Sequence, residues 1–122
     1  MIQQQTILKV ADNSGAKTVQ CIRKTKNRKT PGSFILVTVN KLRSKNRDKI
    51  KLKKGAIFLA QVIRISQFIN RKTGLKLKID SSGVILLNRQ QQPIGSRIFG
   101  IVFKELRLSK HFKTVTLSGN FI

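Results

Sequence analysis

The chain of 122 residues sets 26 lysines and arginines against four acids, a formal net charge of +22. Ordinary surfaces mix their signs, so this imbalance excludes a domain that has no polyanionic partner to offset self-repulsion. A 39% apolar composition, mainly Ile, Val, Leu and Phe, excludes a disordered basic tail and predicts one folded domain with a real core.

The pattern is β nearly throughout. Gln5 to Val10 reads as a first strand, and the turn cluster Asp12-Asn-Ser-Gly15 hands over to a second, Lys17 to Arg23. Together they make a hairpin. Cys21, the only cysteine, falls on the apolar face of the second strand beside Val19 and reads as a small buried hydrophobe. A basic loop then runs to Pro31-Gly32, and Ser33 to Leu42 is the next strand, rich in β-branched residues. A second basic loop, Arg43 to Lys54, ends at Gly55.

Ala56 to Ser66 is a long strand whose first half is apolar on both faces, which suits a closed-sheet position. Asn70 to Gly74 is a hairpin-type turn, and Leu75 to Ile79 alternates, with Leu75, Leu77 and Ile79 expected inward. Asp80-Ser-Ser-Gly83 turns the chain into a short strand, Val84 to Leu87. Gln90 to Gly95 reads as a loop and Phe103 to Leu108 as the start of a short helix. Residues 111–117 are ambiguous, because Thr114, Val115 and Thr116 favour strand while a last helix also fits. Five or six short strands joined mostly by tight turns predict a small closed barrel, which removes exposed strand edges.

The charge is clustered. One group is Arg23, Lys24, Lys26, Arg28 and Lys29; a second is Lys41, Arg43, Lys45, Arg47, Lys49, Lys51, Lys53 and Lys54. A third is Arg71, Lys72, Lys76 and Lys78, and a fourth is Arg89, Arg97, Lys104, Arg107, Lys110 and Lys113. A single such group is as readily a solvated face; four with almost no interspersed acid point to nucleic acid. Lysine-rich loops hold phosphates as flexible point charges, so recognition of backbone and shape is expected rather than base-edge readout. Membrane attachment would need a basic amphipathic helix, and the longest apolar runs, 34–37 and 56–60, are too short to span a bilayer.

Tyr and Trp are absent, and most of the seven Phe lie in apolar-patterned segments. Phe68 and Phe112 have polar neighbours and are candidates for base contact; the others are expected in the core. This argues against a single-strand binder built on aromatic platforms. Asp12, Asp48, Asp80 and Glu105 are scattered and His111 stands alone, so neither an enzyme nor a metal or other cofactor is expected. Asp12 and Asp80 read as turn formers, and Glu105 as the partner of a neighbouring base.

Three stretches carry a resemblance. Met1-Ile-Gln-Gln-Gln-Thr6 with Val10-Ala-Asp-Asn-Ser-Gly-Ala16, Gln92-Pro-Ile-Gly-Ser-Arg-Ile-Phe-Gly100 with Lys104-Glu-Leu-Arg107, and Lys53-Lys-Gly55 before an apolar strand resemble the universal large-subunit ribosomal protein L-fourteen family, bacterial type. The similarity spans nearly the whole chain. It implies a mainly β fold: a five-stranded barrel over about residues 1–100 and a short helical part over about 101–122. It implies a structural role in the large ribosomal subunit, bound to large-subunit rRNA beside ribosomal proteins of the third and nineteenth families. It also implies a surface toward the small subunit, where intersubunit bridges form and a ribosome-silencing factor docks.

The expected rRNA-binding residues are Lys17, Arg23, Lys24, Lys26, Arg28, Lys29, Arg43, Lys45, Arg47, Lys49, Lys51, Lys53, Lys54, Arg71 and Lys72. By motif, Ser96, Arg97 and Lys113 fall on the subunit-interface surface. The family's helical C-terminus is preferred over the strand preference of Thr114 to Thr116. Where the family has Gly-Asp this chain has Gly32-Ser33 and Gly55-Ala56, and its C-terminal Ala-Pro-Glu stretch is here Ser118-Gly-Asn120. The last change puts contacts made by that end in question. Abundant Lys, Ile, Asn and Phe with scarce Ala fit an AT-rich genome, and nothing precedes the family's own start. An organelle-encoded protein of the mitochondrial ribosome is expected, with a plastid or bacterial cytoplasm as alternatives. A free basic RNA-binding or RNA-chaperone protein is the rival reading.

Overall fold

The computed structural model describes residues 2–24, 31–43, 52–108 and 112–122. Five strands close a barrel: β1 (Ile7–Val10), β2 (Ala16–Lys24), β3 (Phe34–Leu42), β4 (Ile57–Arg64) and β7 (Gly83–Leu87). Neighbours run antiparallel except at the seam, where β7 lies parallel to β1 through Lys9–Gly83 and Val10–Val84. The chain is therefore a meander whose last strand returns to its first. Closure leaves no open edge among these five strands.

The alternation of the sequence sets which residues fill the barrel. Ile35, Val37 and Val39 of β3 point inward, as do Val19 and Cys21 of β2, and all are buried. Ala60, Val62, Val84 and Leu86 complete that interior from β4 and β7. Burial pushes the Cys21 thiol above its usual pKa, with nearby Lys24 opposing the shift.

A second core lies outside the barrel. Ile63, Ile85 and Leu87 face away from the interior and pack against Ile98, Val102 and Leu106, with Val115, Leu117 and Phe121 at the margin. β4 and β7 are covered inside by the barrel and outside by the C-terminal segment, but on β4 the fully buried stretch is 60–63 rather than the apolar first half, where Ile57 is 61% exposed. That segment comprises β8 (Ile101–Val102), a 3-10 helix (Lys104–Leu108), α1 (Phe112–Thr116) and β9 (Asn120–Phe121). β8 and β9 pair in parallel, and Ile122 N–H donates to Val102 O at 2.9 Å. The mainly β barrel with a short helical segment near its C-terminus is as expected. The helix over Thr114 to Thr116 overrides the local strand preference: Val115 packs on this second core and Thr114 is buried.

Two expectations fail. Leu75 is not inward but 62% exposed. Its alternating stretch pairs over two residues only, as β6 (Lys76–Leu77) against β5 (Ile69–Asn70), and this ribbon is separate from the barrel sheet. Alternation buries a face only where a second layer covers it, and Leu75 sits in the ribbon's turn, where its carbonyl accepts from Arg71 N–H at 2.9 Å. Phe99 is not a core residue either; it is 40% exposed. No helix among the described residues is long and apolar enough to cross a membrane.

Candidate nucleic-acid interface

The turn cluster after β1 does more than reverse the chain. Asp12 Oδ1 accepts from Ser14 N–H at 3.1 Å and from the Ser14 hydroxyl, closing the expected turn. Asp12 Oδ2 reaches across the seam and accepts from the buried Leu86 N–H at 2.9 Å. Ala11 N–H donates to Val84 O at 2.9 Å just before it. The carboxylate thus continues the β1–β7 ladder where the β1 backbone turns away.

Asn13 fixes the next segment. Its Oδ1 accepts from Ser96 N–H at 2.8 Å and Arg97 N–H at 3.2 Å, while Nδ2 donates to Ser96 Oγ at 2.9 Å. Ser96 and Arg97 are both exposed, so Asn13 presents an exposed basic residue on a fixed backbone. Gly95 is required for this approach: a Cβ there would lie 2.7 Å from Asn13 Oδ1 and 2.9 Å from Asp12 Cβ. Gly95→Ala should cost about 1–3 kcal/mol by crowding and unseat Arg97. Chemical-denaturation midpoints together with loss of hydrogen-exchange protection at the Ser96 and Arg97 amides check this.

Arg64, at the end of β4, pins the same stretch from below. Its Nη1 donates to Phe99 O at 3.1 Å and Ile101 O at 3.3 Å. Gly100, at φ +83°, leaves room for that guanidinium, since a Cβ would come within 2.5 Å of Nη1. Burial draws the Arg64 pKa below its ordinary value. Phe99 N–H donates to Ala11 O at 2.6 Å, and Arg43 Cζ lies 5.5 Å from the Phe99 ring centroid. Sequence reasoning read Asn13 only as a turn residue and did not single out Arg64. Nothing in the local pattern signals either role, because both partners lie far along the chain.

The expected phosphate-binding residues divide by position. Lys17 and Arg23 are exposed on β2, Lys24 is half-exposed at its end, and Arg43 is half-exposed just past β3. Lys53 and Lys54 are exposed in a turn tied to β3, where Gly55 N–H donates to Val39 O at 2.8 Å. Lys72 is exposed in the ribbon turn. Lys26, Arg28, Lys29, Lys45, Arg47, Lys49 and Lys51 lie outside the described residues, as do Asp48 and His111.

Arg71 stands apart: Nε donates to Glu105 Oε1 at 2.9 Å and Nη2 to Glu105 Oε2 at 3.3 Å, with Nη2 also bonded to Ile122 O. Its guanidinium ties the ribbon to the C-terminal layer, and Glu105 is paired with a base, though one far along the chain rather than a neighbour. Lys113 is exposed on α1, and no hydrogen bond joins it to Ser96 or Arg97. Phe68 is 63% exposed with Lys78 Nζ 5.1 Å from its ring centroid. The Phe112 side chain lies outside the described residues. Among the described residues no group of three His, Cys, Asp or Glu stands close enough to hold a metal.

A rigid barrel that presents basic side chains on its rim and turns binds a phosphate backbone by charge and shape. Comparison with known families agrees: residues 1–122 match the family described as ribosomal protein L14p/L23e. The chain belongs to that family, the structural rRNA-binding proteins of the large ribosomal subunit.

Proposed function

We propose that this chain holds large-subunit rRNA through its basic turns and presents the Ser96–Arg97 corner, with Lys113, to the small subunit. The observation that carries the reading is the placement of the acids. Asp12 is committed to Leu86 and Ser14, and Glu105 to Arg71, so neither offsets the exposed cations. Lys17, Arg23, Lys24, Arg43, Lys53, Lys54 and Lys72 then face solvent as a net positive shell, continued in sequence by the basic stretches 26–29 and 45–51. The fixed backbone of Ser96 and Arg97 supports a docking role, because a contact that must form between two moving subunits gains from a preorganised side chain. The neighbours are ribosomal proteins of the third and nineteenth families, the contact is an intersubunit bridge, and the same corner receives a ribosome-silencing factor. The AT-biased composition supports a mitochondrial ribosome.

Quantitative mass spectrometry across a sucrose gradient of mitochondrial lysate tests the reading. One copy per large subunit, retained through a moderate salt wash, is expected; a substoichiometric signal in the light fractions would instead identify a free RNA-binding protein. Arg97→Ala should fold normally, leave large-subunit stoichiometry intact and weaken subunit joining or silencing-factor binding by about tenfold, the loss of one charge-assisted contact. Unchanged sedimentation profiles and unchanged factor affinity would remove Arg97 from the interface.

A further inference from the structure

The Asp12 corner anchors the backbone of a residue whose aromatic ring is exposed. Phe99 is 40% exposed, yet its N–H is bonded to Ala11 O at 2.6 Å and its carbonyl to Arg64 Nη1 at 3.1 Å. The left-handed turn at Gly100, φ +83°, follows at once. An exposed apolar side chain alone needs no explanation; what sets this one apart is an arginine beside it on an equally anchored backbone. Arg43 sits beside it, its own N–H anchored to Gly15 O at 2.9 Å and its guanidinium carbon 5.5 Å from the ring centroid.

That distance is near the limit of a cation–π contact. Arg107 lies only 4.2 Å from the half-buried Phe121, a closed pair by comparison. The Arg43–Phe99 pair is the looser one, with an exposed ring and a half-exposed arginine. Arg97, two residues before Phe99, is exposed, as is Lys17, two residues beyond the Gly15 carbonyl that anchors Arg43, and the carboxylate of Asp12 accepts from the buried Leu86 N–H. An aromatic face and a guanidinium set among unneutralised cations match the π-face of an unpaired base whose flanking phosphates need partners. An apolar protein segment would leave the cations unpaired.

We propose that Phe99 and Arg43 form a stacking site for one unpaired nucleobase, with Lys17 and Arg97 holding its flanking phosphates. The proposal rests on the rRNA-binding reading and adds to it a contact that charge alone does not make. The purified full chain is titrated with a single-stranded oligouridylate across a salt series. Phe99→Leu should weaken binding about tenfold at every salt concentration, giving a line of log K against log salt parallel to that of the unchanged protein. Arg97→Ala should instead flatten the slope by about 0.7. Phe99→Trp, in a chain with no other tryptophan, should restore affinity and show emission quenched by the bound base.

Phe99→Leu binding within twofold of the unchanged protein, or Trp emission untouched at saturation, would overturn the proposal. So would failure to bind the oligonucleotide by a chain that still sediments one-to-one with large subunits. A chain that neither binds nor sediments with them would defeat the rRNA reading itself. Ultraviolet irradiation at about 254 nm of large subunits and of joined ribosomes locates the base. A nucleotide adduct on Phe99 in isolated large subunits assigns it to large-subunit rRNA; an adduct only after joining assigns it to the small subunit. Adducts elsewhere on the chain with none at Phe99 in either particle would count against the site.

Discussion

Asp12→Asn is expected to destabilise the barrel by about 2–3 kcal/mol, although the two side chains are nearly the same size. Both carboxylate oxygens accept: Oδ2 from the buried Leu86 N–H at 2.9 Å, Oδ1 from Ser14 N–H at 3.1 Å and from the Ser14 hydroxyl. A carboxamide has one acceptor oxygen and, in place of the other, an NH2 that only donates. Whichever way it turns, its NH2 group meets an N–H, and one donor is left without a partner. If the NH2 faces the seam, the orphan is the buried Leu86 N–H and the β1–β7 closure loosens. If it faces Ser14, the turn that carries Asn13 opens and Arg97 loses its support.

Asp12→Ala should cost about as much, with the Leu86 N–H always the orphan. Urea midpoints measure the loss, and a fall in melting temperature of roughly 10 °C is expected for a chain this size. A variant as stable as the unchanged protein would show that Asp12 is only a turn former.

Raising the salt from about 50 to about 200 mM should weaken RNA binding by the isolated chain roughly a thousandfold, if about six to ten phosphates are neutralised. The structure narrows which cations count. Arg71 is bonded to Glu105 and Ile122, and Arg64 to the carbonyls of Phe99 and Ile101, so both serve internal packing. Arg71→Ala should therefore leave the salt slope unchanged and lower stability by releasing the ribbon and the C-terminal layer. Lys53 and Lys54 are exposed on a turn stapled to β3. Replacing both by Ala should flatten the slope by about 1.4 to 1.8 without moving the melting temperature. A shallow dependence in the unchanged protein, with a slope equivalent to two phosphates or fewer, would mean that most of these lysines are merely solvated.

Much of the barrel is written in local alternation. Ile35, Val37 and Val39 announce their face through period two, and Val19 and Cys21 do the same on β2. Gly15 and Gly74, both at positive φ, mark their turns by composition. What was not legible depends on partners distant in the chain. β8 and β9 are two residues each, too short for a period to show, and they pair across the intervening helices. The alternation at Leu75 misleads because no second layer covers the ribbon. Phe99 looks apolar among apolar neighbours, and only the bonds to Ala11 and Arg64 reveal that its backbone is anchored while its ring is not. The cations of the candidate interface could be named from sequence; the division between those that face solvent and those, such as Arg71, that hold the fold together could not.

The double covering of β4 and β7 bears on how the chain is made. With Ala11, Phe34 and Leu59 beside them, Ile63, Ile85 and Leu87 find most of their outer partners in residues 98–121. Until those residues have left the synthesising ribosome, a nascent barrel must carry a largely uncovered apolar wall. The seam has the same timing, since β1 waits for β7, more than seventy residues downstream, before its free edge is paired. An incomplete product therefore displays both features that chaperones and proteases engage, apolar surface and an open strand edge. Residues 98–121 thus bring the outer cover to β4 and β7 after both strands have been made.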